Sequence, residues 1–159
     1  MNVGGRLSDH WKAVNAEWQG ESAFLARNQK GTTLQVGSTD ERPAFGPMEL
    51  VLAGLAGCTG MDIASILQKK KEAITGLKVF VRGRMPDEYP KTYQEIHVTY
   101  VIWGNNIDPA AVEQAIQLSE EKYCSVGLML NKAAPIISQY QILAPSEEFI
   151  EQDKEMIHD

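Results

Sequence analysis

Cysteine is scarce in this chain. Cys58 and Cys124 are its two cysteines, 66 positions apart, with no Cys-x-x-Cys pair and no adjoining histidine. A zinc site needs about four converging ligands. His10, His97 and His158 are too scattered along the sequence to supply them, so no metal site is expected. Basic residues are also in deficit: 15 Lys and Arg against 21 Asp and Glu leave a net charge of −6. Phosphate backbones need a basic face, which excludes nucleic acid as the expected partner. The one basic run, Lys69-Lys70-Lys71, reads as a solvated helix end, where cations complement the helix dipole. The N-terminal MNVGGRLSDH has no apolar core of the kind a secretory signal carries. Glu49, Asp62 and several glycines interrupt the most apolar segment, so no stretch of about 18 residues is expected to span a bilayer. These absences point to the cytoplasm, where thiols stay reduced, and to no membrane partner. No repeat or low-complexity tract is present.

What remains is ordinary globular material. The chain of 159 residues, 43% hydrophobic and 23% charged, suits a single domain over 1–159. Residues 10–18, 21–27 and 32–38 read as three strands, and NQKG (28–31) as a hairpin turn, because Asn and Gly tolerate positive φ. TDERPAFG (39–46) is a loop, and Pro47 opens a helix that should run to about Lys71. LKVFVRGRM (77–85) and TYQEIHVTYVIWG (92–104) alternate and should pair across PDEYPK. Asp108 caps a second helix reaching about Tyr123, Cys124 to Ala134 continues as a third, and PIISQYQIL (135–143) is a last strand. Residues 146–159 form an acidic tail in which Ser146 could cap a short helix. The order βββ-α-ββ-αα-β is an α+β pattern.

The first helix carries the main clue. From Met48 to Leu67 only Glu49, Thr59, Asp62 and Ser65 are clearly polar. A helix apolar on most sides must be covered on most sides, and 47–71 spans roughly 37 Å at 1.5 Å per residue. One small chain would struggle to wrap it, so a second copy closing over it, an intertwined homodimer, is the economical solution. At 100° per residue Cys58, Asp62 and Ser65 share one stripe, while Glu49, nine residues before Cys58, falls on the opposite side. A polar stripe on a buried helix is costly unless satisfied or functional. It could be satisfied by Ser65 and Thr59 bonding back to the helix backbone and Asp62 meeting an Arg. Cys124 follows SEEKY and precedes SVGLML; if a helix starts there, its unpaired N–H groups would favour a thiolate. Two cysteines, each beside a helix feature, leave two readings open: a redox pair, or two small hydrophobes in the core.

GPMELVLAGLAGCTGMDIASILQ (46–68), followed by SEEKYCSVGLMLNKA (119–133), resembles the OsmC/Ohr family, the osmotically inducible protein C and organic hydroperoxide resistance group. Within it the motifs look most like the YhfA-type branch. The resemblance runs from about residue 10 to 143 in the same element order. It implies an intertwined homodimer with the long central helix packed between sheets, and thiol peroxidase chemistry without metal, flavin or haem. In that reading Cys58 attacks the O–O bond of an organic hydroperoxide and becomes a sulfenic acid. Cys124 resolves it as a disulfide, which an external dithiol, lipoyl-type in well-known members, reopens. The family's activating Arg is matched by Arg27. Its Glu, ten residues before the nucleophile, is replaced here by Met48, and Glu49 matches only the next position. Asp62 is a possible substitute. The alternative is a non-catalytic dimer that binds an apolar small molecule and keeps both cysteines as packing.

Overall fold

The structure, a computed structural model, describes residues 11–150; His10, His158 and the tail 151–159 lie outside the described residues. Its strands are β1 Val14–Gly20, β2 Ala23–Asn28, β3 Thr33–Val36, β4 Ala73–Arg84, β5 Glu95–Asn105 and β6 Ile136–Leu143. Its α-helices are α1 Pro47–Lys69, α2 Pro109–Leu118 and α3 Ser125–Leu130, with a π-helical turn at Ser119–Tyr123 between α2 and α3. This is the α+β order expected from the sequence. The chain divides into two compact units between Leu50 and Val51.

The first unit is an antiparallel meander, β1-β2-β3. Ala16 pairs with Ala26 and Leu25 with Gln35. The β2–β3 turn forms as predicted: Asn28 Oδ1 accepts from the Lys30 and Thr32 amides at 2.9 and 3.0 Å, and Gly31 takes φ 84°. Gly37 (φ 78°) is required where it stands, because a Cβ there would lie 2.2 Å from the Ser22 carbonyl oxygen. β1 starts at Val14 rather than at residue 10.

The second unit is built on the sheet β4-β5-β6, with β5 in the middle, antiparallel to β4 and parallel to β6. Strand period 2 explains the core: Ile96, Val98, Tyr100 and Ile102 of β5 are all buried. α1 buries Leu55, Thr59, Ile63 and Leu67, one residue every four, which is a single stripe. Gly60 lets the helix sit close, since a Cβ there would be 3.3 Å from Val79 Cγ2 on β4.

As expected, a single chain covers only that stripe, and Met61 is 70% exposed. The expectation that no stretch could span a bilayer is corrected: by length and composition the helix is long and apolar enough to cross one, with a mean hydropathy of 1.8. Between Leu50 and Leu67 a single charge, Asp62, interrupts it, and one carboxylate does not offset so many aliphatic side chains.

Asp108 caps α2 as predicted, its Oδ1 accepting from the Ala110 amide at 3.0 Å. The helix ends at Leu118 rather than about Tyr123. There the chain widens into the π turn, in which the Cys124 amide reaches back five residues to the Ser119 carbonyl at 2.8 Å. Cys124 is extended (φ −75°, ψ 91°) and becomes the N-cap of α3, which is shorter than the expected 124–134. Ser146 caps no helix within the described residues. Instead Glu147 closes a turn onto the Ala144 amide at 3.1 Å, and the Phe149 ring packs on Phe80 with centroids 5.1 Å apart.

Replacing Asp108 by Ala removes the α2 cap and should lower unfolding free energy by about 1 kcal/mol. Urea denaturation of the two proteins checks this; an unchanged midpoint would show that the cap is not limiting.

Candidate active site

Cys58 and Asp62 stand one turn apart on α1, so their side chains leave the same side of the helix. Cys124 comes to them from the α2–α3 junction. Three side-chain atoms, Cys58 Sγ, a carboxylate oxygen of Asp62 and Cys124 Sγ, all lie within 4.8 Å of one another. Both cysteines are free thiols, Cys58 half-buried and Cys124 buried. Ser65, which the helical projection puts on the same stripe, is exposed.

The carboxylate is held by a row of buried hydroxyls. Ser119 Oγ donates to Asp62 Oδ2 at 2.9 Å. Thr59 Oγ1 lies 3.0 Å from Ser119 Oγ and 2.6 Å from the Tyr100 hydroxyl. A hydroxyl carries one proton. Ser119 uses its proton on Asp62, so it accepts from Thr59, and Thr59 in turn accepts from Tyr100. The row therefore runs Tyr100 to Thr59 to Ser119 to Asp62. Burial pushes the Tyr100 phenol up to about 12, in keeping with a group that remains a donor. Among the described residues Thr59 bonds across to β5 and to the π turn, and Asp62 meets Ser119, partners other than the helix backbone and the Arg expected for them. Neither Tyr100 nor Ser119 is flagged by sequence spacing, because the π turn that aims Ser119 inward leaves no periodic signature.

Cys124 does not behave as its cap position alone suggests. The Gly127 amide donates to its Sγ at 3.2 Å, and this favours the thiolate. Burial, a hydrogen bond with the Cys58 thiol and the nearby Asp62 charge oppose it more strongly, and the Cys124 thiol is pushed up to about 12. Desolvation wins because one amide dipole does not replace the water lost around a buried anion. Gly127 also makes room: a Cβ there would be 3.2 Å from Cys124 Sγ and 3.5 Å from Leu55 Cδ1. A cavity of about 70 Å³ opens beside Cys124, lined by the polar residues Thr59, Tyr100, Glu120 and Asn131 and by the apolar Leu55, Val98 and Ile136.

Arg27 and Glu49 make local hydrogen bonds within the first unit. Arg27 is on β2 in the first unit, its guanidinium donating to the Gly31 carbonyl at 3.3 Å. Glu49 Oε2 accepts from the Gly46 amide at 2.7 Å. That is the reach-back half of a capping box, and nine residues of helix separate it from Cys58 by roughly 13 Å along the axis. His97 pairs with Glu95 at 2.5 Å.

A family model described as OsmC-like protein matches residues 38–139. Protein YhfA of Escherichia coli (strain K12) is 34% identical over 131 residues, which is 82% of this chain and 98% of that protein.

The chain belongs to the OsmC-like family.

A crystal structure of a hypothetical protein from Aquifex aeolicus VF5 superposes with TM-score 0.77 at 33% identity, covering 87% of this chain and 98% of the other. The organic hydroperoxide resistance protein OhrB of Bacillus subtilis shares the fold at 17% identity and TM-score 0.57, covering 82% and 98%. The OsmC-like resemblance read from the paired cysteine motifs is therefore correct.

The Cys124 thiol gives a pH signature. In the unfolded chain it ionises near its ordinary 9.0, and in the folded protein near 12. Between those values the folded state holds the extra proton, so stability falls as pH rises through the window. The melting temperature of the reduced protein should drop from pH 9 upward. Cys124→Ala should flatten that drop, leaving the smaller contribution of Tyr100 between 10.0 and about 12. Equal slopes in the two proteins would mean that the Cys124 thiol is not held protonated by the fold.

Proposed function

We propose that this OsmC-like protein is a thiol-dependent peroxidase that reduces organic hydroperoxides through Cys58 and Cys124, in the cytoplasm, as part of oxidative stress defence. The observation that carries the reading is the meeting of the two sulfurs, from elements 66 residues apart, within 4.8 Å. The closeness of the two sulfurs supports a disulfide between them, a bond that also needs Cα atoms within about 7 Å.

The chemistry balances as follows. The Cys58 thiolate attacks the distal oxygen of ROOH; the O–O bond breaks, the alkoxide takes a proton and leaves as ROH, and Cys58 becomes a sulfenic acid. Cys124 sulfur then attacks the Cys58 sulfur, water leaves, and a Cys58–Cys124 disulfide forms. An external dithiol of lipoyl type reduces it by two exchanges and departs as its own disulfide. Half-buried Cys58 is the better-exposed sulfur for the first step and buried Cys124 for the second. The exposed Gly54 and Met61, neighbours of Cys58 on the helix surface, suit an alkyl chain better than hydrogen peroxide. Arg27 is proposed as the activating cation, since a guanidinium beside sulfur stabilises the thiolate. With Met48 at the family's Glu position, Asp62 supplies the carboxylate nearest the thiols. Glu49 is assigned to the helix cap.

Cumene hydroperoxide consumption with dihydrolipoamide tests the reading. Cys58→Ser should abolish turnover. Cys124→Ser should allow one oxidation per site without cycling. Arg27→Ala should slow the first step by about tenfold, the effect of one pKa unit on a minor thiolate. Glu49→Ala should alter stability and leave turnover intact. Absence of any dithiol-dependent peroxide loss in the wild type would favour the non-catalytic, ligand-binding dimer.

The homodimer belongs to the same proposal. It is supported by the apolar surface of α1 that one chain leaves uncovered, Met61 above all, which a second copy of the helix would bury. Sedimentation equilibrium at micromolar concentration should give twice the 17.6 kDa chain mass; a monomer would refute it.

A further inference from the structure

We infer that Cys58, Asp62 and Cys124 form a three-ligand site for a thiophilic divalent cation, Zn²⁺, with water completing the tetrahedron. Sequence spacing points away from such a site, and the fold supplies it. Among the described residues these three are the group whose Sγ and carboxylate atoms all lie within 4.8 Å of one another. In a tetrahedral zinc site with Zn–S near 2.3 Å and Zn–O near 2.1 Å, neighbouring donors stand roughly 3.5–3.8 Å apart. With every pair already within 4.8 Å, the cluster reaches that spacing by closing at most about an ångström, within the range of small side-chain rotations.

The surroundings are those of a metal centre. Ligating carboxylates are characteristically oriented by an outer hydrogen bond, and Ser119 donates to Asp62 Oδ2 at 2.9 Å. Behind Ser119 stand Thr59 and Tyr100, at 3.0 and 2.6 Å in series, so the carboxylate is held from the sheet. Two thiolates and a carboxylate select Zn²⁺ over hard cations such as Mg²⁺ and Ca²⁺. With two thiolates and one carboxylate the bound site carries net charge −1; two thiol protons leave to water as the ion enters. The cavity beside Cys124 and half-buried Cys58 leave the fourth position reachable by water.

Binding needs no turnover, so the site stands or falls apart from the peroxidase reading. One consequence does rest on that reading: the bound ion engages both sulfurs, and neither oxidation nor disulfide closure can proceed until it leaves.

The test is an anaerobic titration of the reduced, full-length protein with Co²⁺, followed by Zn²⁺. The expected result is one Co²⁺ per chain, a thiolate-to-cobalt charge-transfer band in the near ultraviolet and intense visible bands of tetrahedral Co²⁺. Zn²⁺ should then displace it, being the tighter binder. Cys58→Ser and Cys124→Ser should each weaken binding by at least about 100-fold, and Ser119→Ala by about 10- to 100-fold. Asp62→Asn should weaken it comparably. Should a cysteine variant fail to fold, protection of both wild-type thiols from iodoacetamide by Zn²⁺ gives the same information. The inference is overturned by the absence of the charge-transfer band in molar excess of Co²⁺, by binding without that band, or by binding indifferent to Asp62→Asn. A protein that binds Zn²⁺ in this way but consumes no hydroperoxide would keep the site and lose the enzyme.

Discussion

The pair of hydrogen bonds made by Thr59 governs how the second unit is assembled. One ties α1 to Tyr100 in the middle strand of the sheet, and the other ties it to Ser119 at the start of the π turn. A threonine hydroxyl buried on the sheet-facing stripe of a helix would be costly if left alone. It is tolerated because both of its capacities, donor and acceptor, are used. Among the described residues no buried side-chain nitrogen or oxygen lacks a partner. The consequence is a fixed rotational setting for α1. With Thr59 against Tyr100, Cys58 and Asp62 must point toward the α2–α3 junction, and that is where Cys124 is found.

The π turn is the other half of the arrangement. A regular α-helix from Pro109 to Tyr123 would carry Ser119 and Cys124 round at 100° per residue and continue straight into α3. The wider turn inserts a residue, bonds the Cys124 amide to the Ser119 carbonyl, and leaves Cys124 extended at a helix start. π turns are rare and frequent at functional sites; here one turn orients Ser119 toward Asp62 and Cys124 toward Cys58 together. The local sequence cost is small, because Glu120, Glu121 and Lys122 remain exposed.

Electrostatically Cys124 resists becoming charged. Cys124 gains one amide hydrogen bond, yet burial, the Cys58 thiol and the Asp62 carboxylate push its pKa up to about 12. A cation brought to the cluster would reverse the balance, whether a guanidinium or a metal ion, since an opposite charge within a few ångströms favours ionised thiols. The carboxylate that hinders ionisation in the empty cluster would then help to hold the cation. Capping by Glu49 has no part in this, as its carboxylate is committed to the Gly46 amide.

Much of the framework is legible in local pattern. Alternation located β4 and β5, Pro47 and Asp108 located the starts of α1 and α2, and Asn28 with Gly31 located the hairpin turn, because each depends on backbone preferences within a few residues. The paired cysteine motifs were enough for the family. Projection on an ideal helix placed Asp62 beside Cys58, but it could not distinguish the exposed Ser65 from the engaged Asp62. Only tertiary structure decided that Thr59 faces Tyr100, that Ser119 holds Asp62, and that Cys124 caps a new helix after a π turn. Those outcomes turn on one non-local hydrogen-bond row and one i→i−5 bond, and neither leaves a trace in residue spacing. Sequence periodicity records which side of a helix is apolar; it takes the packed sheet to determine which polar group on that helix finds a partner.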